Sequence, residues 1–156
     1  MALKLVLFLA VILTALCLVP AGAHLFELPN KIALAQDQYF VVQGIYRGWA
    51  LFGLVLIPAV GVILLLTFML RRQTVAFRYA LAALVCMAAT LAIFFIWTYP
   101  ANVATSNWTA VPDNWEVLRR QWEFAHAANA VLTFLALCAL MGAVLSAERE
   151  NGRATT

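Results

Sequence analysis

The chain has 156 residues, of which 65% are hydrophobic and 11% charged, with a formal net charge of +3 and a mean hydropathy of +0.93. So little polar surface cannot cover a water-exposed globule, which excludes a soluble protein. The basic residues form neither a stripe nor an RNA-binding motif, so no nucleic-acid partner is expected.

Four apolar runs cover about residues 2–28, 48–70, 77–99 and 122–147, the last with an amphipathic lead-in from Trp115. Each is close to the ~20 residues that an α-helix needs to cross a bilayer, and far longer than the ~10-residue strands of a membrane barrel. Together they use nearly the whole length. The sequence therefore predicts an all-α fold, an integral membrane four-helix bundle that forms one domain over residues 1–156.

The first run also has the pattern of a secretory signal. It begins with Lys4, continues with apolar residues and ends in Pro20-Ala21-Gly22-Ala23, which is similar to a cleavage site. Cleavage after Ala23 would make His24 the N-terminus and leave three spans. The pattern fits both fates, and we favour an uncleaved first helix.

A long connection of about residues 30–46 separates the first two runs. Its apolar residues recur at helical spacing, so we expect a short amphipathic helix at the membrane interface. This helix would serve either as a lid over the polar residues nearby or as a plain interfacial anchor. The residues on its predicted apolar face are Ile32, Ala35, Tyr39 and Val42.

The distribution of Lys and Arg predicts the orientation. Six basic residues lie at the two chain ends and around the 71–76 connection, against four on the other side. The positive-inside rule therefore predicts that the N- and C-termini are cytoplasmic.

With four alternating spans, the strongly polar residues converge on the extracytoplasmic side. They occur at the end of the first and third runs and at the start of the second and fourth. A charged or polar group at such depth is costly and marks a functional site. The residues that converge are His24, Glu27, Tyr46, Arg47, Trp97, Tyr99, Arg119, Trp122, Glu123 and His126.

The fourth run carries the most informative pattern. Polar and aromatic residues recur there at alternating steps of four and three, which is the seam that a helix turns into a bundle. Glu123 flanks this seam, four residues after Arg119 and three before His126, so the three side chains are predicted to form one hydrogen-bonded chain. The alternative is a polar cap that anchors the helix end at the interface. The seam consists of Trp115, Arg119, Trp122, His126, Asn129 and Thr133.

Two imidazole–carboxylate pairs, His24 with Glu27 and Glu123 with His126, raise the question of a metal. A di-iron bundle needs Glu-x-x-His in the same order on two helices plus further carboxylates, and the first pair is inverted. A single metal or a haem with His24 and His126 as ligands stays open, although no cofactor is required. The three cysteines stand one to a run without C-x-x-C, which argues against a thiol redox enzyme.

Three segments carry a resemblance to a known family. They are His24-Leu-Phe-Glu-Leu-Pro, Tyr46-Arg47-Gly48-Trp49, and W-x-x-L-R-x-x-W-E-x-x-H from Trp115 to His126. In them the chain resembles the small four-span membrane proteins grouped with fungal anthrone oxygenases, whose bacterial members are mostly domains of unknown function. The resemblance implies oxidation of an activated aromatic methylene by O₂. It also implies that His126 and Glu123 correspond to a base pair and Arg119 to an anion-stabilising partner.

Two hypotheses of function follow. In the first, the protein is a membrane oxidoreductase in which His126, Glu123 and Arg119 are catalytic and act on a lipophilic small molecule. Its binding residues would be His24, Glu27, Tyr46, Arg47, Trp97, Trp115, Trp122 and Asn129. In the second, the protein is a non-enzymatic membrane subunit or a carrier that binds a small molecule or haem, and the polar residues bind that ligand, another copy or a membrane partner.

The most specific structural expectation concerns the two histidines. His24 and His126 lie near the same end of their helices, on faces that point inward. At the usual interaxial distance of ~8–10 Å their imidazoles should share one internal cavity.

Overall fold

The structure is a computed structural model that describes residues 1–153, with the side chains of all of these except Ala50 and residues 149–153. Every regular element in this range is helical. The α-helices are α1 (Ala2–Lys31), α2 (Gln36–Gln43), α3 (Gly53–Met69), α4 (Thr74–Ile93), α5 (Tyr99–Ala104) and α6 (Trp115–Arg153). Two 3₁₀ turns, Gly44–Tyr46 and Trp49–Phe52, lead into α3, and a π-helical turn, Phe94–Thr98, joins α4 to α5.

Three helical stretches in this range are long and apolar enough to cross a membrane. They are Ala2–Lys31, the continuous stretch Thr74–Ala104, and Trp115–Glu148. Helix α3 is apolar but has 17 residues, or about 26 Å at 1.5 Å per residue. These lengths support a multi-pass membrane protein and confirm the all-helical prediction. The predicted cytoplasmic C-terminus, Thr156, lies outside the described residues.

The connection between α1 and α3 differs from the prediction for residues 30–46. Helix α1 continues past Pro29 to Lys31, and the following helix is shorter, Gln36–Gln43. Of the predicted apolar face only Tyr39 is fully buried, and Ala35 is exposed. Gln43 is buried although it lies outside the predicted apolar face, because its amide donates a hydrogen bond to the buried Tyr39 hydroxyl.

The main core lies at the end of the molecule where α3 turns into α4. Its buried residues come from α1, α3, α4 and α6 and include many alanines. Small side chains let apolar helices approach closely, which is how helices associate in lipid. The alanines in this core are Ala10, Ala59, Ala76, Ala80, Ala83, Ala136, Ala143 and Ala147.

A second, aromatic core lies at the opposite end, beneath α2 and the 105–114 loop. It is formed by Tyr39, Ala101, Trp108, Leu118 and Trp122. Three consecutive loop residues, Ser106, Asn107 and Trp108, have positive φ angles of 49°, 56° and 62°. This conformation is costly for residues other than glycine.

Hydrogen bonds hold this loop in its costly conformation. The Trp108 backbone N–H donates to Thr105 Oγ1 at 3.1 Å, and the Trp108 indole N–H donates to Asn102 Oδ1 at 3.2 Å. The connection between α5 and α6 is therefore ordered, and it directs Trp108 into the aromatic core.

Candidate functional site

A cavity of about 990 Å³ lies next to the aromatic core, bordered by residues of all six α-helices and of the connections that precede α3 and α6. Most of its wall is apolar or aromatic. Sites for small molecules in proteins have this character, with a few polar groups that fix the orientation of the ligand. The polar side chains on the wall include His24, Gln43, Tyr46, Asn102, His126, Asn129 and Thr133.

The two histidines meet on the wall of this cavity. The imidazole of His24 on α1 and that of His126 on α6 stack with ring centroids 4.1 Å apart and planes 28° apart. Both residues line the cavity, so the expected proximity is confirmed.

Aromatic rings surround the histidine pair. The Trp122 ring centroid lies 5.0 Å from His24 and 4.1 Å from His126, while Tyr46 and Trp49 approach His24 at 4.5 Å and 5.3 Å. The indole N–H of Trp122 donates to Asn102 Oδ1 at 2.9 Å, which fixes the indole plane. The pair is therefore held between flat apolar surfaces.

Five buried polar atoms of residues that border the cavity have no hydrogen-bond partner among the described residues. They are His24 Nδ1, Gln43 Oε1, Thr98 Oγ1, His126 Nε2 and Asn129 Oδ1. Leaving a buried polar atom unpaired costs free energy of about 1–3 kcal/mol each, so native proteins rarely keep several together unless they serve a purpose. They belong to residues of the cavity wall, and no protein group within the described part of the chain satisfies them.

Glu123 does not contact His126 in the way that its spacing predicts. The carboxylate is fully buried, and its Oε1 accepts a hydrogen bond from the Tyr39 hydroxyl at 2.9 Å and pairs with Lys31 Nζ at 3.1 Å. Within residues 1–153 no hydrogen bond joins it to His126. The prediction was wrong because charged and polar partners on α1 and α2 compete successfully with a neighbour on the same helix.

Arg119 is also removed from the predicted chain. Its Nη1 donates to the Leu34 carbonyl at 2.8 Å, and the guanidinium lies 4.6 Å from the Trp115 ring and 5.4 Å from the Tyr39 ring. Arg119 therefore ties the connection between α1 and α2 to α6. Trp115 packs against this guanidinium and does not border the cavity.

Lys31 lies at the centre of a polar network that sequence reasoning missed. Its Nζ is 3.1 Å from Glu123 and 3.6 Å from Glu27, and it donates to the Tyr46 hydroxyl at 2.6 Å. The Tyr46 hydroxyl in turn donates to Glu27 Oε2. The ammonium also lies over the Tyr46 and Trp122 rings at 4.3 Å and 4.8 Å.

The signal for Lys31 was present in the sequence, since it follows Glu27 by four residues, a spacing at which side chains pair. In the sequence, Lys31 otherwise contributes only to the count of positive charges from which the membrane orientation is predicted. Tyr39 and Gln43 were missed for a different reason. The Gln43 amide donates to the Tyr39 hydroxyl, which in turn donates to Glu123 on α6, 84 residues from Tyr39. No local pattern indicates a contact across this separation.

The two tyrosines of this network lie outside the membrane-crossing helices and are neutral hydrogen-bond donors. Burial raises the pKa of Tyr39 well above its ordinary value, and the neighbouring Glu123 charge raises it further. Burial likewise raises the pKa of Tyr46, together with the hydrogen bond that it donates to Glu27. Both hydroxyl protons are therefore retained at physiological pH.

The remaining predicted residues lie at the edge of the site or beyond it. Arg47 is exposed on the rim of the cavity, and Glu27 is half-buried in the Lys31 network. Trp97 is 45% exposed and does not border the cavity, because the π-helical turn directs Phe94, Phe95 and Thr98 towards it instead. The Trp97 carbonyl accepts a hydrogen bond from Gln121 at 2.7 Å.

The histidine pair does not fit a haem. Axial imidazoles approach the iron from opposite sides of the macrocycle, whereas these rings stack on one another at 4.1 Å. Within the described part of the chain no group of three or more His, Cys, Asp or Glu side chains is placed to hold a metal ion. The donor set therefore gives no basis for a step through a metal.

The chain matched no protein-family model, no curated protein and no solved structure.

Proposed function

We propose that this chain is a membrane oxidoreductase that binds a lipophilic aromatic molecule in the cavity and removes a proton from it at the histidine pair. The observation that supports this most is the pair of imidazole nitrogens, His24 Nδ1 and His126 Nε2, which are buried without partners beside a large apolar cavity. A neutral imidazole has one N–H and one nitrogen with a free lone pair, so an imidazole without hydrogen-bond partners can accept a proton.

In this mechanism His126 is the general base. Its imidazole takes a proton from an acidic C–H of the ligand, and the His24 imidazole and the Asn129 side chain hold the ligand by hydrogen bonds. The Trp122 ring, with its centroid 4.1 Å from His126, stabilises the imidazolium that forms. The carbanion reacts with O₂ to a peroxide anion, which takes the proton back from the His126 imidazolium and becomes a hydroperoxide. Loss of water then leaves a ketone, so one methylene and one O₂ become one carbonyl and one H₂O.

This mechanism changes the roles that the resemblance to anthrone oxygenases implies. Glu123 and Arg119 would not touch the ligand, because both are engaged with α1, α2 and their connection. They would instead hold the elements that carry Tyr46 and His24. His126 keeps the role of base.

The membrane arrangement that we propose has four spans in one domain, with α3 as the second span and both termini in the cytoplasm. The support is the apolar composition of α3, its packing with α1 and α4 in the main core, and the excess of Lys and Arg at the chain ends and the 71–76 connection. The cavity then faces the extracytoplasmic half of the bilayer.

Anthrone is the probe that tests the proposed reaction. The purified full chain in detergent should consume O₂ when anthrone is added, at a rate above the protein-free oxidation of anthrone. His126→Gln should lower this rate by about 10²–10⁴-fold, the usual contribution of a general base. Cys138→Ala, an exposed substitution on the same helix, should keep the native rate.

A carrier is the alternative that the same experiment separates from an enzyme, because it would use the same unpartnered nitrogens for binding. If native protein and His126→Gln both oxidise anthrone no faster than the blank, while anthrone still quenches tryptophan fluorescence saturably, the protein binds without catalysis. Equal and substantial turnover in both proteins would remove His126 as the base.

A further inference from the structure

The rim of the cavity has two different chemistries. On the loop side it is polar and exposed, with Arg47, Ser106, Asn107 and Thr109. On the side between α3 and the end of α4 it is apolar and exposed, with Phe52 at 42%, Ile57 at 68% and Phe95 at 63%. A cavity that opened to water alone would not need large exposed apolar residues on one side of its rim.

The apolar part of the rim lies where the helices α3 and α4 cease to pack on one another. Near the turn that joins them, residues such as Ile63, Leu66 and Ala80 are fully buried in the main core. Towards the other end, residues of both helices and of the π-helical turn after α4 border the cavity instead. They are Gly53, Leu56 and Ile57 on α3, Thr90 and Leu91 on α4, and Phe94, Phe95 and Thr98 in the turn. A Cβ added at Gly53 would meet nothing within 4 Å, so the space beside α3 is open there.

The position of this rim along the helices places it at the level of lipid. The exposed Trp97 and Tyr99, at 45% and 53%, have the character of an aromatic belt at the membrane surface. Phe95 precedes both in a helical stretch long enough to cross a membrane, and Ile57 lies four residues inside α3, about 6 Å along its axis. Both therefore lie on the hydrocarbon side of the belt.

We infer that lipophilic ligands reach the cavity sideways from the bilayer, through an opening between α3 and the end of α4 whose rim is Phe52, Ile57 and Phe95. This inference rests on the proposed binding role of the cavity but not on the proposed chemistry. An apolar molecule dissolved in acyl chains passes this rim without crossing water, and the polar rim on the loop side faces the solvent.

Anthracene is a suitable probe because it is apolar, fluorescent and free of an acidic C–H, so its binding does not depend on catalysis. Vesicles of phosphatidylcholine that contain both anthracene and the full chain would show energy transfer from the tryptophans that border the cavity, Trp49, Trp108 and Trp122. Binding and release are followed by mixing these vesicles with vesicles that lack the probe or the protein.

Gly53→Leu fills the opening and should slow both association and dissociation about tenfold, with affinity changed by less than about threefold, because it raises a barrier and leaves the interior unchanged. Ile57→Ala widens the opening and should accelerate both rates. Gly61→Leu is the matched control for the first variant, since Gly61 lies on the same helix, has open space around it and does not border the cavity.

Unchanged rates in Gly53→Leu and Ile57→Ala, equal slowing in Gly61→Leu, or no saturable transfer in the native chain would each overturn the inference. If Gly53→Leu fails to fold, the comparison of Ile57→Ala with Leu54→Ala decides, because Leu54 is exposed on α3 but does not border the cavity. Failure of anthrone oxidation with normal anthracene kinetics would contradict the proposed reaction alone.

Discussion

Lys31 and Glu123 are the residues whose burial is most costly, since they are 3% and 0% exposed. Each charge is tolerated because the other lies 3.1 Å away and because tyrosine hydroxyls supply further hydrogen bonds. Removing one member of a buried ion pair leaves an uncompensated charge, which costs more than removing both. The pair is therefore expected to couple strongly in stability measurements.

Lys31→Met should lower the free energy of unfolding in detergent by about 3–5 kcal/mol. The double variant Lys31→Met with Glu123→Gln should cost less than the sum of the single variants, because no charge remains unpaired between them. Lys4→Met, at an exposed position of the same helix, should change stability by less than about 0.5 kcal/mol. Additive effects of the two buried substitutions would contradict the pairing.

The two buried tyrosines predict how stability depends on pH. Their pKa values are raised in the folded protein, above the value of about 10 in an unfolded chain. Stability from the neutral hydroxyls is therefore fully present below about pH 10 and is lost as the pH rises further, because only the unfolded chain ionises readily. The unfolding temperature should fall above about pH 10 in the native chain.

Tyr39→Phe and Tyr46→Phe should each make this alkaline decline less steep, although both start from a lower stability at neutral pH. Tyr99→Phe is the matched control, since Tyr99 is 53% exposed, and its slope should equal the native one. A native slope in the Tyr39 and Tyr46 variants would show that other groups cause the decline.

At the scale of elements, α4 and α6 approach one another closely along small residues. The closest point is Gly142 on α6, where an added Cβ would lie 2.8 Å from two ring carbons of Tyr79 on α4. On α3 the corresponding space at Gly61 is open. Gly142 therefore permits close contact between two helices, whereas no neighbouring atom requires a glycine at position 61.

Gly142→Ala should lower the free energy of unfolding by about 1–3 kcal/mol, because the Tyr79 ring must move. Gly61→Ala should be neutral or stabilising by up to about 1 kcal/mol, since alanine favours the helix and meets no obstacle. Chemical denaturation in detergent measures both. Adding Tyr79→Ala to Gly142→Ala should remove the steric part of the loss, and its persistence would contradict this explanation.

At the scale of the whole molecule, the central question is whether α3 crosses the membrane. Three exposed positions can be labelled to answer it: Asn30 in the last turn of α1, Thr74 at the start of α4, and Asp113 before α6. In the four-span arrangement Asn30 and Asp113 are outside and Thr74 is in the cytoplasm. If α3 does not cross, Asn30 and Thr74 lie on the same side.

Single cysteines placed at these positions, in a chain whose three native cysteines are alanines, distinguish the two arrangements. A membrane-impermeant maleimide added to intact cells should label Asn30→Cys and Asp113→Cys at once, and Thr74→Cys only after permeabilisation. Labelling of Asn30→Cys and Thr74→Cys under the same condition would exclude four spans.

Much of the fold was predictable because the segments that are long enough to cross a membrane can be recognised from their own apolar composition, without knowledge of the helices they pack against. The spans at 2–28, 77–99 and 122–147 lie inside helices of the structure, and the shared cavity of His24 and His126 followed from their place at the helix ends. The bounds of the short helix Gln36–Gln43 were harder to predict, because amphipathic periodicity is weak over eight residues. The exposure of Trp97 was not predicted, because a π-helical turn changes which residues face inward.

The sequence by itself determined the helical class and the end of the molecule at which polar groups collect, since both depend on the cost of placing backbone and charge in an apolar medium. Only the tertiary structure decided the partners within that cluster. Glu123 lies beside Arg119 and His126 by spacing, yet it pairs with Lys31 and Tyr39, because α1 and α2 bring a buried cation and hydroxyl to it. That pairing leaves the imidazole nitrogens unpartnered at the cavity, and helix spacing alone does not contain this information.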